Sequence, residues 1–114
     1  MDLEKKYRNV DFDHEFDLQK QFLADIKKQF RKEIKGAKIK LELNWHYISG
    51  FIELDGKYVY VSIEDLRDYG NSFLDYCLYR VAKHDKDFTG GRNRFSDINN
   101  LAKNVKVLLE NGGF

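Results

Sequence analysis

Proline is absent from the 114-residue sequence, and cysteine occurs once, at Cys77. The first absence leaves no proline-rich linker to divide the chain. The lone thiol excludes an internal disulfide and suits a reducing compartment. No apolar run approaches the roughly 18 residues that a spanning helix needs, so no segment reads as a membrane span. The opening MDLEKKYRNVDFDHEF is polar, from which we expect no signal peptide and a cytoplasmic location. An excess of one charge is missing too. Lys and Arg number 20 against 19 Asp and Glu, a formal net charge of +1, which removes the usual ground for expecting a strongly basic nucleic-acid binder.

What the sequence has in quantity is aromatic side chains: nine Phe, seven Tyr and one Trp, within a hydrophobic fraction of 42%. That load excludes simple disorder. A chain of this length supports one hydrophobic core, so residues 1–114 are expected to form a single domain.

The balanced total hides blocks of opposite sign. Residues 1–17 carry Asp2, Glu4, Asp11, Asp13, Glu15 and Asp17 against Lys5, Lys6 and Arg8. Residues 27–40 carry Lys27, Lys28, Arg31, Lys32, Lys35, Lys38 and Lys40 against Glu33 alone. Residues 53–75 turn acidic again through Glu53, Asp55, Glu64, Asp65, Asp68 and Asp75. Residues 80–94 return to net positive through Arg80, Lys83, Lys86, Arg92 and Arg94.

From Asp13 to Lys35, Phe16, Leu23, Ile26, Phe30 and Ile34 recur at helical spacing, with Phe22 widening the stripe. Asp11 or Asp13 is placed to cap that helix, and Gly36 to stop it. The period then drops to two: Ile39, Leu41, Leu43 and Trp45 alternate with polar residues, as a half-buried strand requires. Two more strands, Tyr47 to Leu54 and Lys57 to Ile63, flank Asp55-Gly56, the pair favoured in a type I′ hairpin turn. Gly50 inside the second strand marks a bulge or a close backbone approach. A short helical turn is expected near Ser62–Asp65, and a fourth strand from Leu74 to Lys83. A polar loop follows over 84–95, and Ser96 is placed to cap a last helix with stripe Ile98, Leu101, Ala102, Val105, Leu108 and Leu109, ending at Asn111-Gly112-Gly113. The expectation is an α+β fold, a four-stranded mostly antiparallel sheet with an N-terminal and a C-terminal helix packed on it.

No catalytic motif stands out. His14, His46, His84 and Cys77 invite a zinc reading, yet no two lie at the two-to-four-residue spacing typical of structural sites, and we expect no cofactor. Asp85-x-Asp87-x-Thr89-Gly90 begins like a calcium loop but offers Ser96 where the closing glutamate should stand. Thr89-Gly90-Gly91-Arg92-Asn93-Arg94 leads toward the expected last helix, a setting in which backbone N–H groups and arginines could receive a phosphate or an acidic side chain. Cys77 lies between Tyr76 and Leu78 in the fourth strand, where a buried, inert thiol is expected. Tyr47, Phe51, Tyr58, Tyr60, Tyr76 and Tyr79 are spaced to supply core or an aromatic open face, which can stack nucleobases or bind protein.

Two segments carry a resemblance: YISGFIELDGKYVYVSIEDLR, from Tyr47 to Arg67, and LYRVAKHDKDFTGGRN, from Leu78 to Asn93. Together they resemble small proteins carried by phages, plasmids and conjugative elements of low-GC Gram-positive bacteria, a neighbourhood that includes anti-CRISPR proteins directed at type II, Cas9-containing systems. The resemblance spans roughly residues 46–109 and brings no catalytic residues with it. It implies a non-enzymatic inhibitor in the cytoplasm of a host bacterial cell. Such a protein would bind a nucleic-acid-targeting effector such as Cas9 and block its action, with the acidic block 53–75 standing in for phosphate. Two alternatives follow from the residues themselves: a module that binds nucleic acid through Lys28, Arg31, Lys32, Lys35, Arg92 and Arg94, and a small enzyme or binder acting on a phosphorylated ligand at the Gly-Gly-Arg loop. For partner contact the expected residues are Glu64, Asp65 and Asp68 after the third strand, and Asp85, Asp87, Arg92 and Arg94 in the long loop. Like charges without nearby bases repel until a cationic partner arrives, and polar loops on a rigid sheet are where recognition residues gather.

Overall fold

A computed structural model of the chain describes residues 2–88 and 90–111. Its elements in order are α1 (Leu3–Tyr7), α2 (Phe16–Glu33), β1 (Lys38–Asn44), β2 (Tyr47–Leu54), β3 (Lys57–Ile63), a 3₁₀ turn at Ser72–Leu74, β4 (Cys77–Ala82), β5 (Arg94–Ser96) and α3 (Leu101–Glu110). The five strands form one antiparallel meander in sequence order, and the fold is α+β. No helix among the described residues is long and apolar enough to cross a membrane.

Alternation assigns the two faces of the sheet. Leu41, Ile48, Ile52, Val59, Val61 and Ile63 are buried beneath the helices, with Phe22, Ile26 and Phe30 of α2 and Leu101, Val105 and Leu108 of α3 completing the core. A close approach makes β2 fit. A Cβ on Gly50, which has φ +154°, would stand 1.8 Å from the Lys40 carbonyl oxygen across the β1–β2 ladder. The Asp55-Gly56 turn, with φ of 53° and 78°, joins β2 to β3 as its sequence requires.

The opposite face carries a row that runs across four strands: Lys40 opposite Phe51, Phe51 opposite Tyr60, Tyr60 opposite Arg80. The Arg80 guanidinium lies 4.6 Å from the Tyr60 ring centroid. Half of this face is covered by the β4–β5 loop. Phe88 packs edge-on against Phe51 and Tyr60, which explains why Phe51 is buried on the side away from the helices.

The N-terminal segment is fastened by polar contacts over an aromatic cluster. Tyr7, Phe12, Phe22 and Phe73 pack with ring centroids 4.8–5.6 Å apart. Tyr7 Oη and Lys6 Nζ both donate to Asp25 of α2, at 2.6 and 2.7 Å. Arg8 bridges Glu4 to Asp75, and the buried Asn71 accepts from the Asn9 amide while donating to the Val10 carbonyl.

Several boundaries differ from the sequence expectation. The helix expected from Asp13 starts at Phe16, because Asp13 and His14 form a turn in which the Asp11 carboxylate accepts from the Asp13 amide. Phe16, expected in the core stripe, is 56% exposed, and the buried Gln19 takes the corresponding inward position. Trp45 does not extend β1 but sits in the β1–β2 turn, 82% exposed. β3 continues through Ile63, so the helical turn expected at Ser62–Asp65 appears later, at Ser72–Leu74, and shortens the fourth strand at its start. The expected polar loop contains a fifth strand, Arg94–Ser96, too short to show alternation and formed by pairing with β4. Ser96 therefore caps nothing; α3 begins at Leu101 behind Asn100, after the Ile98 amide has bonded the Leu74 carbonyl at 2.7 Å. α1 is shorter than any periodic pattern reveals. The stop expected at Gly112-Gly113 lies outside the described residues.

Two outcomes check this account. Gly50→Ala should cost about 3 kcal/mol or more in urea denaturation, because the β1 backbone at Lys40 and Leu41 must shift. Gly56→Ala, where an added Cβ meets nothing within 4 Å, should cost only about 1 kcal/mol of turn strain. The second outcome concerns pH. Burial alone would raise the Asp25 carboxyl, but the bonds from Lys6 and Tyr7 hold it below its ordinary 3.8. A depressed carboxyl contributes stability that is present above the unfolded value and lost as pH falls through the folded one. Asp25→Asn should therefore be less stable than the parent at pH 7, with the gap closing below about pH 4. An equal gap at pH 7 and pH 3 would contradict it.

Candidate binding surface

β1 and β2 are joined by two residues, Trp45 and His46, with φ of 50° and 69°. This is the backbone of a type I′ turn, where Asn-Gly is the usual choice and bulky residues are strained. The turn holds because His46 is fixed from three sides. Its ring stacks on Phe16 at 5.4 Å and 23° between planes. Its Nδ1 accepts from Gln19 Nε2 at 2.8 Å, the same amide nitrogen that donates to the Phe12 carbonyl at 2.9 Å. Its backbone carbonyl accepts from the Leu66 amide at 3.0 Å. Trp45 is left projecting, and with Phe16 and His46 it lines an open cleft of about 240 Å³. Tyr47, also exposed, stands at the base of the turn.

A second depression, of about 580 Å³, is lined by Asp13, Asp65, Arg67, Asp68 and Ser72. It unites the acidic block near the N-terminus with the block after β3. Arg67 pairs with Asp65 at 2.7 Å, and that bond is the main reason the Asp65 carboxyl lies below the usual range. The Asp68 carboxylate accepts from both the hydroxyl and the amide of Ser72, which lowers it likewise. Leu66, between Asp65 and Arg67, donates its amide to the His46 carbonyl at 3.0 Å, so cleft and depression adjoin. Glu64 is exposed beside them.

The seven residues expected to meet a partner fall into two groups at different ends of the strands. Glu64, Asp65 and Asp68 follow β3, on the side of the Trp45-His46 turn. The β4–β5 loop leaves from beside Tyr58, near the Asp55-Gly56 turn. In that loop Asp85 pairs with Lys40 at 3.3 Å and ties the loop to the far strand. Asp87 is buried and accepts from the amides of Lys83 and Gly90, so it shapes the loop from within. Arg80 donates to the Phe88 carbonyl and to the Asn93 side chain. Arg92 is exposed, whereas Arg94 lies in β5 opposite Tyr79. The anion setting expected at Gly90–Arg94 changes accordingly: the segment enters a strand, and no helix N-terminus follows directly. Thr89 lies outside the described residues.

His14, His46, His84 and Cys77 do not assemble: among the described residues no group of three or more His, Cys, Asp or Glu is placed to hold a metal ion. Cys77 is in the core, where burial pushes its thiol far up. Lys20, Lys28, Arg31, Lys32 and Lys35 are exposed on the outer side of α2 and just beyond it.

Phe16, Trp45, His46 and Asp13 were not among the residues expected to meet a partner. For Trp45 and His46 a signal was present, two alternating strands separated by two residues, neither Gly nor Asn, at a place that demands positive φ; for Phe16 and Asp13 there was none.

Replacing Trp45, whose exposed ring buries little, by a residue suited to left-handed backbone relieves that strain. Trp45→Asn should raise stability by about 1 kcal/mol, read as a higher urea midpoint with unchanged slope. A loss of stability would show that the ring supports the turn.

The chain matches no family model, and no curated protein or solved structure is similar to it.

Proposed function

We propose that the protein is a non-enzymatic inhibitor borne by a mobile element, which binds a host nucleic-acid-targeting effector of the Cas9 type and blocks its action on nucleic acid. One observation carries this reading: Asp13 and the Asp65–Asp68 segment, some fifty residues apart, line one depression beside an exposed aromatic turn. An effector's nucleic-acid channel is lined with Lys and Arg, which neutralise phosphates and release the cations condensed on the nucleic acid. Carboxylates fixed at a rigid pole can occupy the same cations. Aromatic side chains next to them supply the apolar contact that holds a protein partner. The resemblance over residues 46–109 supplies the class of partner. The segregation of charge agrees with it, since the bases Lys28, Arg31 and Lys32 lie about three turns or more along α2 from Phe16.

The test is direct binding to Cas9, alone and loaded with guide RNA, by the parent and by charge-reversed protein. Asp13→Lys with Glu64→Lys reverses two carboxylates while leaving the Asp65–Arg67 and Asp68–Ser72 bonds in place. In protein with an unchanged melting temperature, affinity should fall at least about tenfold, mostly through slower association and more at low salt than at high. Arg92→Glu with Arg94→Glu should bind like the parent. Unaltered affinity in the acidic variant would refute the reading. Binding of bare DNA or RNA that weakens steeply with salt, and is lost in Lys28→Glu with Lys32→Glu, would favour a nucleic-acid-binding module instead.

A further inference from the structure

We propose that the cleft between Trp45 and Phe16 receives an arginine side chain of a protein partner. The inference rests on the binding reading above and names the chemistry that this part of the surface recognises.

The walls are aromatic and fixed in advance. Phe16 is stacked on His46, and His46 is held by the fully buried Gln19 and by the Leu66 amide, so two walls cost no ordering when a ligand enters. The third wall, Trp45, is 82% exposed at a turn whose backbone favours a smaller residue. A cation over an aromatic face is attracted by the ring quadrupole, most strongly for Trp, and a guanidinium also stacks flat on the ring. The charge around the cleft selects the occupant. Asp65 and Asp13 lie in the adjoining depression, which the 3.0 Å bond from the Leu66 amide to the His46 carbonyl holds beside the cleft. A nucleobase could stack on the same rings, but its phosphates would face these carboxylates. A purely apolar residue would gain nothing from the acidic surroundings. Arginine meets both conditions, with a planar face for the rings and a fork of donors for a carboxylate. An ammonium offers charge without the plane.

Trp45 is the only tryptophan in the chain, so its emission reports on the cleft alone. The full chain is titrated with hexa-arginine, hexalysine and an oligo-dT of equal length at two salt concentrations. We expect a saturable change in emission with hexa-arginine. Its affinity should exceed that for hexalysine by at least about threefold and fall at least fivefold in Phe16→Ala. Calorimetry on Trp45→Leu should show the same loss. Phe16 is 56% exposed, which keeps its removal compatible with folding, and a melting curve checks this. Four results would overturn the proposal: no saturable change, equal binding of both peptides, a response to oligo-dT that exceeds that to hexa-arginine, or emission that depends on protein concentration alone, which would identify a second copy as the occupant. Cas9 binding by the same variants separates the two ideas. If charge reversal abolishes it and Trp45→Leu does not, the inhibitor reading stands and the arginine cleft fails. If hexa-arginine binds as expected and Cas9 does not, the cleft stands and the choice of effector fails.

Discussion

His46 is where three otherwise separate parts of the chain are joined. Through its ring it touches Phe16 and Gln19 of α2; through its carbonyl it holds Leu66, the first turn after β3. These contacts let a tight two-residue turn form from Trp and His rather than Asn and Gly, since a buried, bonded and stacked ring compensates for backbone held at positive φ. Together with the Asn71 bonds to Asn9 and Val10 and the packing of Phe12 on Phe73, they fix the β3–β4 segment where Asp65 and Asp68 lie alongside Asp13. In sequence the two acidic blocks are some fifty residues apart. In the fold they share one pole.

The rest of the sheet is arranged so that the pole stands on something rigid. One face is sealed by α2 and α3 in the ordinary way. The other is sealed only in part, by a loop strapped down through Lys40–Asp85, the Arg80 bond to Phe88, and Phe88 itself lying on Phe51 and Tyr60. Two carboxylates of the loop, Asp85 and Asp87, are thereby drawn into internal roles. Asp87 is the clearest instance, a buried carboxylate that accepts from backbone amides and gives the loop its shape. A polar, glycine-bearing loop is not by that fact a recognition surface, because backbone amides also need acceptors.

Much of the architecture was legible in residue order. Alternation from Ile39 to Ile63, the Asp55-Gly56 pair and the apolar stripes of α2 and α3 each encode local geometry that tertiary contacts then reinforce. Elements that exist only through long-range pairing were not legible. β5 is three residues held by β4, and α1 is five residues held by Asp25 and Asn99. The candidate surface divides in the same way. Glu64, Asp65 and Asp68 could be named from a run of like charge, but their neighbours Asp13 and Phe16 could not, because proximity across some fifty residues is a property of the fold. Trp45 misled for a physical reason: alternation continues one residue past the strand, and nothing in hydrophobicity distinguishes a core position from a projecting turn.

The central claim is that the pole formed by Trp45, His46 and the Asp65–Asp68 segment is the face that meets a partner. Hydrogen–deuterium exchange on the free protein and on its complex with Cas9 tests it without any substitution. The account predicts slowed exchange at amides 43–47 and 64–72 in the complex, with the outer side of α2 and the loop 83–93 exchanging as in the free protein. Protection confined to α2 or to that loop, with 43–47 and 64–72 unchanged, would contradict it.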